Sequence, residues 1–418
     1  MSSNANQRLG QLASHISTTA TPTKIGVKSP DDVVIVSALR TPITRARKGG
    51  FKDVHAEELL GAVLKATLEK TKLDPKLIDD VVVGNVLPRG GGATVARMAV
   101  LYAGIPEKAA VMTVNRQCSS GLQAVVQVAS SIQSGLIDIG IGAGTESMTL
   151  DYGPTASPDT VSDKVSAVEA AADCLIPMGI TSENVAKQFG VSREKQDQMA
   201  VESHAKAAKA QEEGLFDEEI IPVTVNTTDK EGNEKEITVK ADDGIRRGVD
   251  LASLSKLRPA FSKTGTTTAG NASQVSDGAA AVLLMKRKTA EKLNLPILGK
   301  YVSAAVVGVP PNVMGIGPAF AIPAAVKKAG IQVQDLDIIE LNEAFASQAV
   351  YCIETLKLDP KKVNPKGGAL ALGHPLGCTG ARQIATLLPE LKRQGKKVGA
   401  VSMCIGTGMG MCGIFERE

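Results

Sequence analysis

The sequence predicts an α/β protein made of two duplicated halves with an insertion in the first, and three observations carry that expectation. Short apolar runs alternate with segments whose apolar residues recur at the helical period, the order that buries sheets between helices. The stretch from Leu77 to Asn85 is echoed by Asp335 to Asn342, an apolar run that ends on Asn both times. In each half a small-residue turn then opens a helix, Cys118-Ser119-Ser120-Gly121 first and His374-Pro375-Leu376-Gly377-Cys378-Thr379-Gly380 second. Each helix leads to an apolar strand and a glycine-rich bend, Ile139 to Thr145 and Ser402 to Gly408.

Taken in order, residues 1–30 are rich in Ser, Thr, Asn and Ala and are expected to be a flexible targeting tail. Arg8, Leu9, His15 and Ile16 in it would share one face of a helix, where a receptor could read them together. Regular hydrophobic patterning begins at Asp32-Val33-Val34-Ile35-Val36 and opens the first half, residues 31–150. Its clearest helix follows Cys118: Leu122, Val125, Val126, Ala129 and Ile132 fall at helical spacing, and Gly135 is placed to stop it. Residues 151–280 follow another rhythm, with a charged hairpin-like stretch from Thr228 to Lys235 and an Ala-rich helix around His204 to Glu213. They read as an inserted loop domain, after which a strand near 275–290 returns to the first half. Residues 291–418 form the second half.

Composition excludes several classes. Lys and Arg number 47 against 44 Asp and Glu, too balanced for a polyanion footprint, and seven Phe, four Tyr and no Trp are too few to stack bases. Nucleic acid is therefore not an expected partner. The longest stretch without a polar side chain, Val313 to Val326, is shorter than the roughly 18 residues a membrane span needs, and Pro318 and Pro323 interrupt it. Six scattered cysteines lack the close pairing of a metal knuckle, so free thiols in a reducing compartment and no metal are expected.

Cys118 falls where a strand gives way to a helix N-terminus, where free N–H groups and the helix dipole lower a thiol's pKa and offer donors to an oxyanion. An isolated Cys-Ser-Ser-Gly is also how a packed cysteine fills a tight turn. His374 occupies in the second half the register that Cys118 occupies in the first; if the halves pack about a pseudo-twofold axis, thiol and imidazole meet as nucleophilic catalysis requires. Cys404 precedes a glycine-dense loop that lacks the Lys of a phosphate-binding loop, and reads either as a second acid/base thiol or as a small strand-end residue. Asn342 ends an apolar strand, where it could hold a water or an oxyanion, or simply cap a helix.

Together the blocks Asn115 to Gly121, Asn342 to Phe345, Gly373 to Gly377 and Cys404 to Gly408 resemble, in order and spacing, the signature blocks of thiolases. The resemblance runs from about Asp32 to the carboxyl terminus, and Cys174 to Thr181 with Thr266 to Ser273 is similar to the peroxisomal 3-ketoacyl-CoA thiolase branch of fatty-acid β-oxidation. It implies the thiolase fold: duplicated βαβαβαββ halves in a five-layered αβαβα arrangement, with a CoA-binding loop domain and a homodimer. It further implies Cys118 as the acyl-carrying nucleophile, His374 as its base, Cys404 as the acid/base at the departing carbon, and Asn342 holding a water at one oxyanion hole. The N–H groups of Cys118 and Gly406 would form the other. CoA would lie along Arg246, Phe261 and Ser273, with Met178 near the thioester; CoA is then a substrate, and no cofactor is needed. Arg8-Leu9, five residues and then His15-Ile16 resemble the amino-terminal peroxisomal import signal, a reading that the thiolase resemblance strengthens, with an import receptor as partner. Pro177 stands where many bacterial relatives carry His.

The implied reaction is thiolytic cleavage of a 3-ketoacyl-CoA to acetyl-CoA and a shortened acyl-CoA through a Cys118 thioester, with ping-pong kinetics. A biosynthetic acetoacetyl-CoA thiolase would use the same residues in reverse. A decarboxylating ketoacyl synthase would want two histidines where this chain has Asn342 and Cys404, and a non-catalytic lipid-binding protein on the same fold would be expected to lose part of the set. A redox switch pairing Cys118 with Cys174 is a further hypothesis, which unchanged activity after mild oxidation would count against.

Overall fold

The structure, a computed structural model, describes residues 23–153, 158, 160–229 and 231–418. Arg8, Leu9, His15 and Ile16 lie outside the described residues.

In the first half the chain runs through strand β1 (Val33–Arg40), the short β2 (Thr44–Arg45), helix α1 (Ala56–Thr71), β3 (Asp80–Gly84), α2 (Ala93–Tyr102), β4 (Ala110–Val114), α3 (Ser120–Gln133) and β5 (Ile139–Ser147). After β5 come α4 (Met178–Phe189), α5 (Arg193–Glu212) and a hairpin of β6 (Val223–Thr228) and β7 (Glu234–Val239), before β8 (Ser276–Lys286) rejoins the sheet. The helix expected from His204 starts earlier, at Arg193, behind the N-cap Ser192. Its first two turns are so polar that hydrophobic period does not reveal them. The second half contains β9 (Gly299–Gly308), α6 (Gly317–Ala329), β10 (Ile338–Leu341), α7 (Ala346–Leu356), α8 (Leu376–Arg393), β11 (Val398–Ile405) and β12 (Met409–Arg417).

The main strands follow the order β10-β11-β12-β9-β1-β8-β5-β3-β4. From its junction outward, one half reads β1-β8-β5-β3-β4 and the other β9-β12-β11-β10, so the echoed segments β3 and β10 occupy equivalent places. The fifth strand of the second half is reduced to a single bridge, Ile339 to Val363, because Pro360 and Pro365 flank it and proline has no N–H for a ladder. The halves join where β1 meets β9 through only two residue pairs, Val34 with Lys300 and Ile35 with Gly299.

Packing makes five layers. One face of the first half-sheet buries Val81, Val83, Ile141 and Leu283 against Leu60, Val63 and Leu64 of α1 and Val100 of α2. The outer face of the second buries Ile339, Leu341 and Ala400 against Ile322 and Val326 of α6 and Ala349 of α7. Between the sheets lie α3 and α8, whose Leu122, Val125, Ile384 and Leu388 share one core with residues of both. The two central helices touch backbone to backbone: a Cβ on Gly121 would sit 2.5 Å from the Gly377 oxygen, and one on Gly380 only 2.2 Å from the Leu122 nitrogen. Only glycine permits that approach. It brings the N-terminal ends of α3 and α8, hence the turns carrying Cys118 and His374, to the same place.

Candidate active site

Cys118 sits in a turn wired to itself. Gln117, at φ +48°, donates its N–H to Asn115 Oδ1 (2.9 Å), and Ser120 Oγ donates to the Gln117 carbonyl (2.6 Å) while accepting from the Arg116 N–H (2.9 Å). The thiol is buried and faces two backbone N–H groups, its own and that of Gly406 from the loop after β11. These donors pull its pKa down, but desolvation outweighs them and pushes it up to about 11. The activation expected from the helix N-terminus is therefore corrected: the resting thiol is neutral, because burial removes the water a thiolate needs.

His374 is also buried, and desolvation, with a smaller push from the Arg382 charge, lowers it to about 3. Its Nδ1 lies 2.6 Å from Thr379 Oγ1, and that hydroxyl donates onward to the Pro375 carbonyl (3.1 Å). The hydroxyl must therefore accept from Nδ1–H, which leaves the lone pair on Nε2. Nε2 lies 3.2 Å from Asn342 Nδ2. The His374 N–H is held by the Gln274 carbonyl (3.1 Å).

Asn342 is not a helix cap, since α7 begins at Ala346 behind Phe345. Its carbonyl accepts from Gln348 Nε2 (2.7 Å), and its Oδ1 is buried without a protein partner, as a water-holding amide would be. Cys404 is wholly buried beside Met314 and Ala344; burial and then the neighbouring Cys118 hold its pKa well above the usual thiol range.

Met178, at the start of α4, places its sulfur 3.6 Å from where a Cβ on Gly406 would be. Phe261 is exposed, lies over Gly179 and meets Phe345 edge-on at 6.3 Å between centroids. The Ser273 N–H donates to the Ala344 carbonyl (3.0 Å). These three therefore surround the Asn342 to Phe345 block, whereas exposed Arg246 stands apart, its N–H donating to His204 Nδ1 (3.1 Å). The Cys174 thiol faces the Thr407 carbonyl at 3.8 Å, and all six cysteines are free. A cavity of about 390 Å³ opens elsewhere, between α5 and α7 behind Glu343. Among the described residues no group of three or more His, Cys, Asp or Glu could hold a metal, and no helix is long and apolar enough to cross a membrane.

Sequence reasoning missed Thr379, Gln274, Gln348 and Glu146. Only Glu146 left a signal, an acid inside the otherwise uncharged run from Ile139 to Met148.

Comparison with known proteins gives concordant matches. Residues 33–288 match the thiolase N-terminal domain and residues 295–417 the thiolase C-terminal domain. The rat peroxisomal 3-ketoacyl-CoA thiolase B is 59% identical over 389 residues, which cover 93% of this chain and 91% of the rat protein. The crystal structure of the dimeric peroxisomal thiolase of Saccharomyces cerevisiae superposes with a TM-score of 0.87 at 51% identity, covering 94% of this chain and 99% of that one. The acetyl-CoA acetyltransferase of Bacillus anthracis superposes with 0.84 at 37% identity, covering 93% and 99%.

Proposed function

The chain belongs to the thiolase family, and on that premise we propose that it acts in the peroxisome as a 3-ketoacyl-CoA thiolase of fatty-acid β-oxidation, an acetyl-CoA C-acyltransferase. The 59% identity with the rat peroxisomal enzyme, against 37% with the acetyl-CoA acetyltransferase, favours this over the biosynthetic direction.

In this reading Cys118 gives its proton to His374 as the thiolate attacks C3 of the substrate. The C2–C3 bond breaks, its electron pair leaves as the acetyl-CoA enolate, and Cys404 protonates C2. The shortened acyl group stays on Cys118 as a thioester. Cys404, now a thiolate, deprotonates incoming CoA, whose sulfur attacks the acyl carbon, and the Cys118 thiolate recovers its proton from His374. Asn342, through a water, and His374 would stabilise the enolate oxygen, while the N–H groups of Cys118 and Gly406 would hold the oxygen of each tetrahedral adduct. The observation that supports the reading is a neutral buried thiol facing two N–H donors and, at the N-terminal end of the adjoining helix, a buried imidazole whose Nε2 carries the lone pair and meets Asn342. Transfer from one thioester to another is near thermoneutral, which suits cysteine better than serine.

We assign residues 151–280, less the return strand β8, as the loop domain receiving CoA, with Arg246, Phe261, Ser273 and Met178 along it; CoA is a substrate, and the chemistry asks for no separate cofactor. A homodimer fits the edge strand β4, which ends the sheet with Met112 exposed beside exposed Met98, Leu101 and Tyr102. The amino-terminal Arg8-Leu9 and His15-Ile16 pattern would be read by an import receptor. The test is CoA-dependent cleavage of C4 to C16 3-ketoacyl-CoAs, with an acyl adduct trapped on Cys118 when CoA is withheld from the second step; no adduct and no cleavage at any length would overturn the proposal.

A further inference from the structure

Glu146, near the end of β5, is wholly buried, and the mechanism above gives it no part. Both of its oxygens are engaged, always by backbone. Oε2 accepts from the N–H of Gly377 (2.8 Å) and of Val86 (3.1 Å), and Oε1 from that of Leu87 (3.0 Å). Val86 and Leu87 follow β3 in the first half; Gly377 lies in the first turn of α8, three residues after His374 in the second. The two loops also meet directly, for a Cβ on Gly377 would lie 2.6 Å from both Asn85 Cα and the Gly84 oxygen. One carboxylate thus sits on the seam where the halves bring their reactive turns together, at a helix N-terminus that favours negative charge. Burial raises Glu146 to about 7 against the pull of those three N–H groups. The charged and titratable groups in its reach are Asp151, whose charge acts on it, and Cys118 and Cys378, whose thiols it pushes up.

We propose that Glu146 is a positioning residue for the thiolase reaction: it clamps the His374 turn of one half to the loop after β3 of the other and so sets the imidazole against the Cys118 thiol while touching no reacting atom. The inference rests on the thiolase reading. Glutamine at this position keeps the shape but turns an NH₂ toward a backbone N–H, and aspartate keeps the charge but falls one methylene short of spanning both loops.

The experiment compares the wild-type enzyme with Glu146→Gln and Glu146→Asp in two assays: thiolysis of acetoacetyl-CoA by CoA, and alkylation of Cys118 by iodoacetamide at pH 6 and pH 8, followed by mass spectrometry. Both variants should lose about 10- to 100-fold in kcat with KM little changed, the scale of a misplaced reacting group. Glu146→Gln should meanwhile alkylate about threefold faster at pH 8, where the wild-type carboxylate is charged and opposes the thiolate, and at the wild-type rate at pH 6. Glu146→Asp should follow the wild-type alkylation at both. Turnover within twofold of wild type in either variant overturns the proposal, as does a parallel fall of turnover and alkylation in Glu146→Gln, the mark of a merely loosened protein. If Glu146→Gln does not fold, the aspartate variant decides. A wild-type enzyme that alkylates normally but cleaves no ketoacyl-CoA rejects the thiolase reading itself, and the proposal with it.

Discussion

Raising the pH of the resting enzyme should expose the Cys118 thiolate gradually, with no plateau near neutrality. With the thiol pushed up to about 11 and His374 down to about 3, the resting pair is uncharged. At pH 8 only about one thiol in a thousand is ionised, and each further pH unit multiplies that fraction about tenfold. The rate of iodoacetamide alkylation at Cys118 should therefore climb with a slope near one on a logarithmic plot from pH 7 to pH 10. Replacing His374 by Gln should leave this resting curve almost unchanged, because a neutral imidazole contributes no charge, yet should cut turnover by about 10²- to 10⁴-fold through loss of the base. The assay is the Cys118 alkylation rate by mass spectrometry beside steady-state thiolysis on the same preparations. A plateau at or below pH 7 would reveal a stored thiolate–imidazolium pair and refute the reasoning, and so would a His374→Gln enzyme within tenfold of wild-type turnover.

Cys404→Ala should lower thiolysis by about 10²- to 10⁴-fold while CoA still binds, measured by kinetics and calorimetry. Gly380→Ala should cost about 2 kcal/mol or more and reduce activity with it, since its methyl would fall 2.2 Å from the Leu122 nitrogen; denaturant titration checks this. Arg40 donates to both oxygens of Asp242 (2.7 and 2.9 Å) and to Glu219 (2.7 Å) in full burial, so Arg40→Ala should cost about 3–5 kcal/mol by leaving the buried Asp242 carboxylate without its cation, while Glu219 keeps Lys366. Phe261→Ala should raise KM for CoA with kcat nearly kept, read from steady-state kinetics.

Much of the architecture is written locally. The helix after Cys118 follows from its apolar spacing, and it does stop before Gly135, which takes φ +76°. The echo between β3 and β10 correctly placed two strands in equivalent positions, because a short continuous apolar run needs no distant partner to be recognised. The start of α5 was hidden because its polar first turns, Gln196 and Asp197 buried among them, carry no hydrophobic period, and the loss of a full fifth strand in the second half became evident only once Val363 was seen to pair at one residue.

The electrostatic state of the site lay beyond the sequence. A helix N-terminus next to Cys118 argues for a low thiol pKa, and that local argument is sound as far as it goes. What reverses it is desolvation on burial, which outweighs even the N–H that Gly406 brings from the second half of the chain. The same holds for His374, whose tautomer depends on Thr379 and Pro375, and for Glu146, whose three donors come from two halves. The order of residues by itself determined the elements, their duplication and the reactive side chains, since periodicity and side-chain chemistry are properties of neighbouring residues. Tertiary structure alone decided which groups carry charge and which loops are tied together, since solvation and long-range hydrogen bonds depend on what the rest of the chain brings alongside.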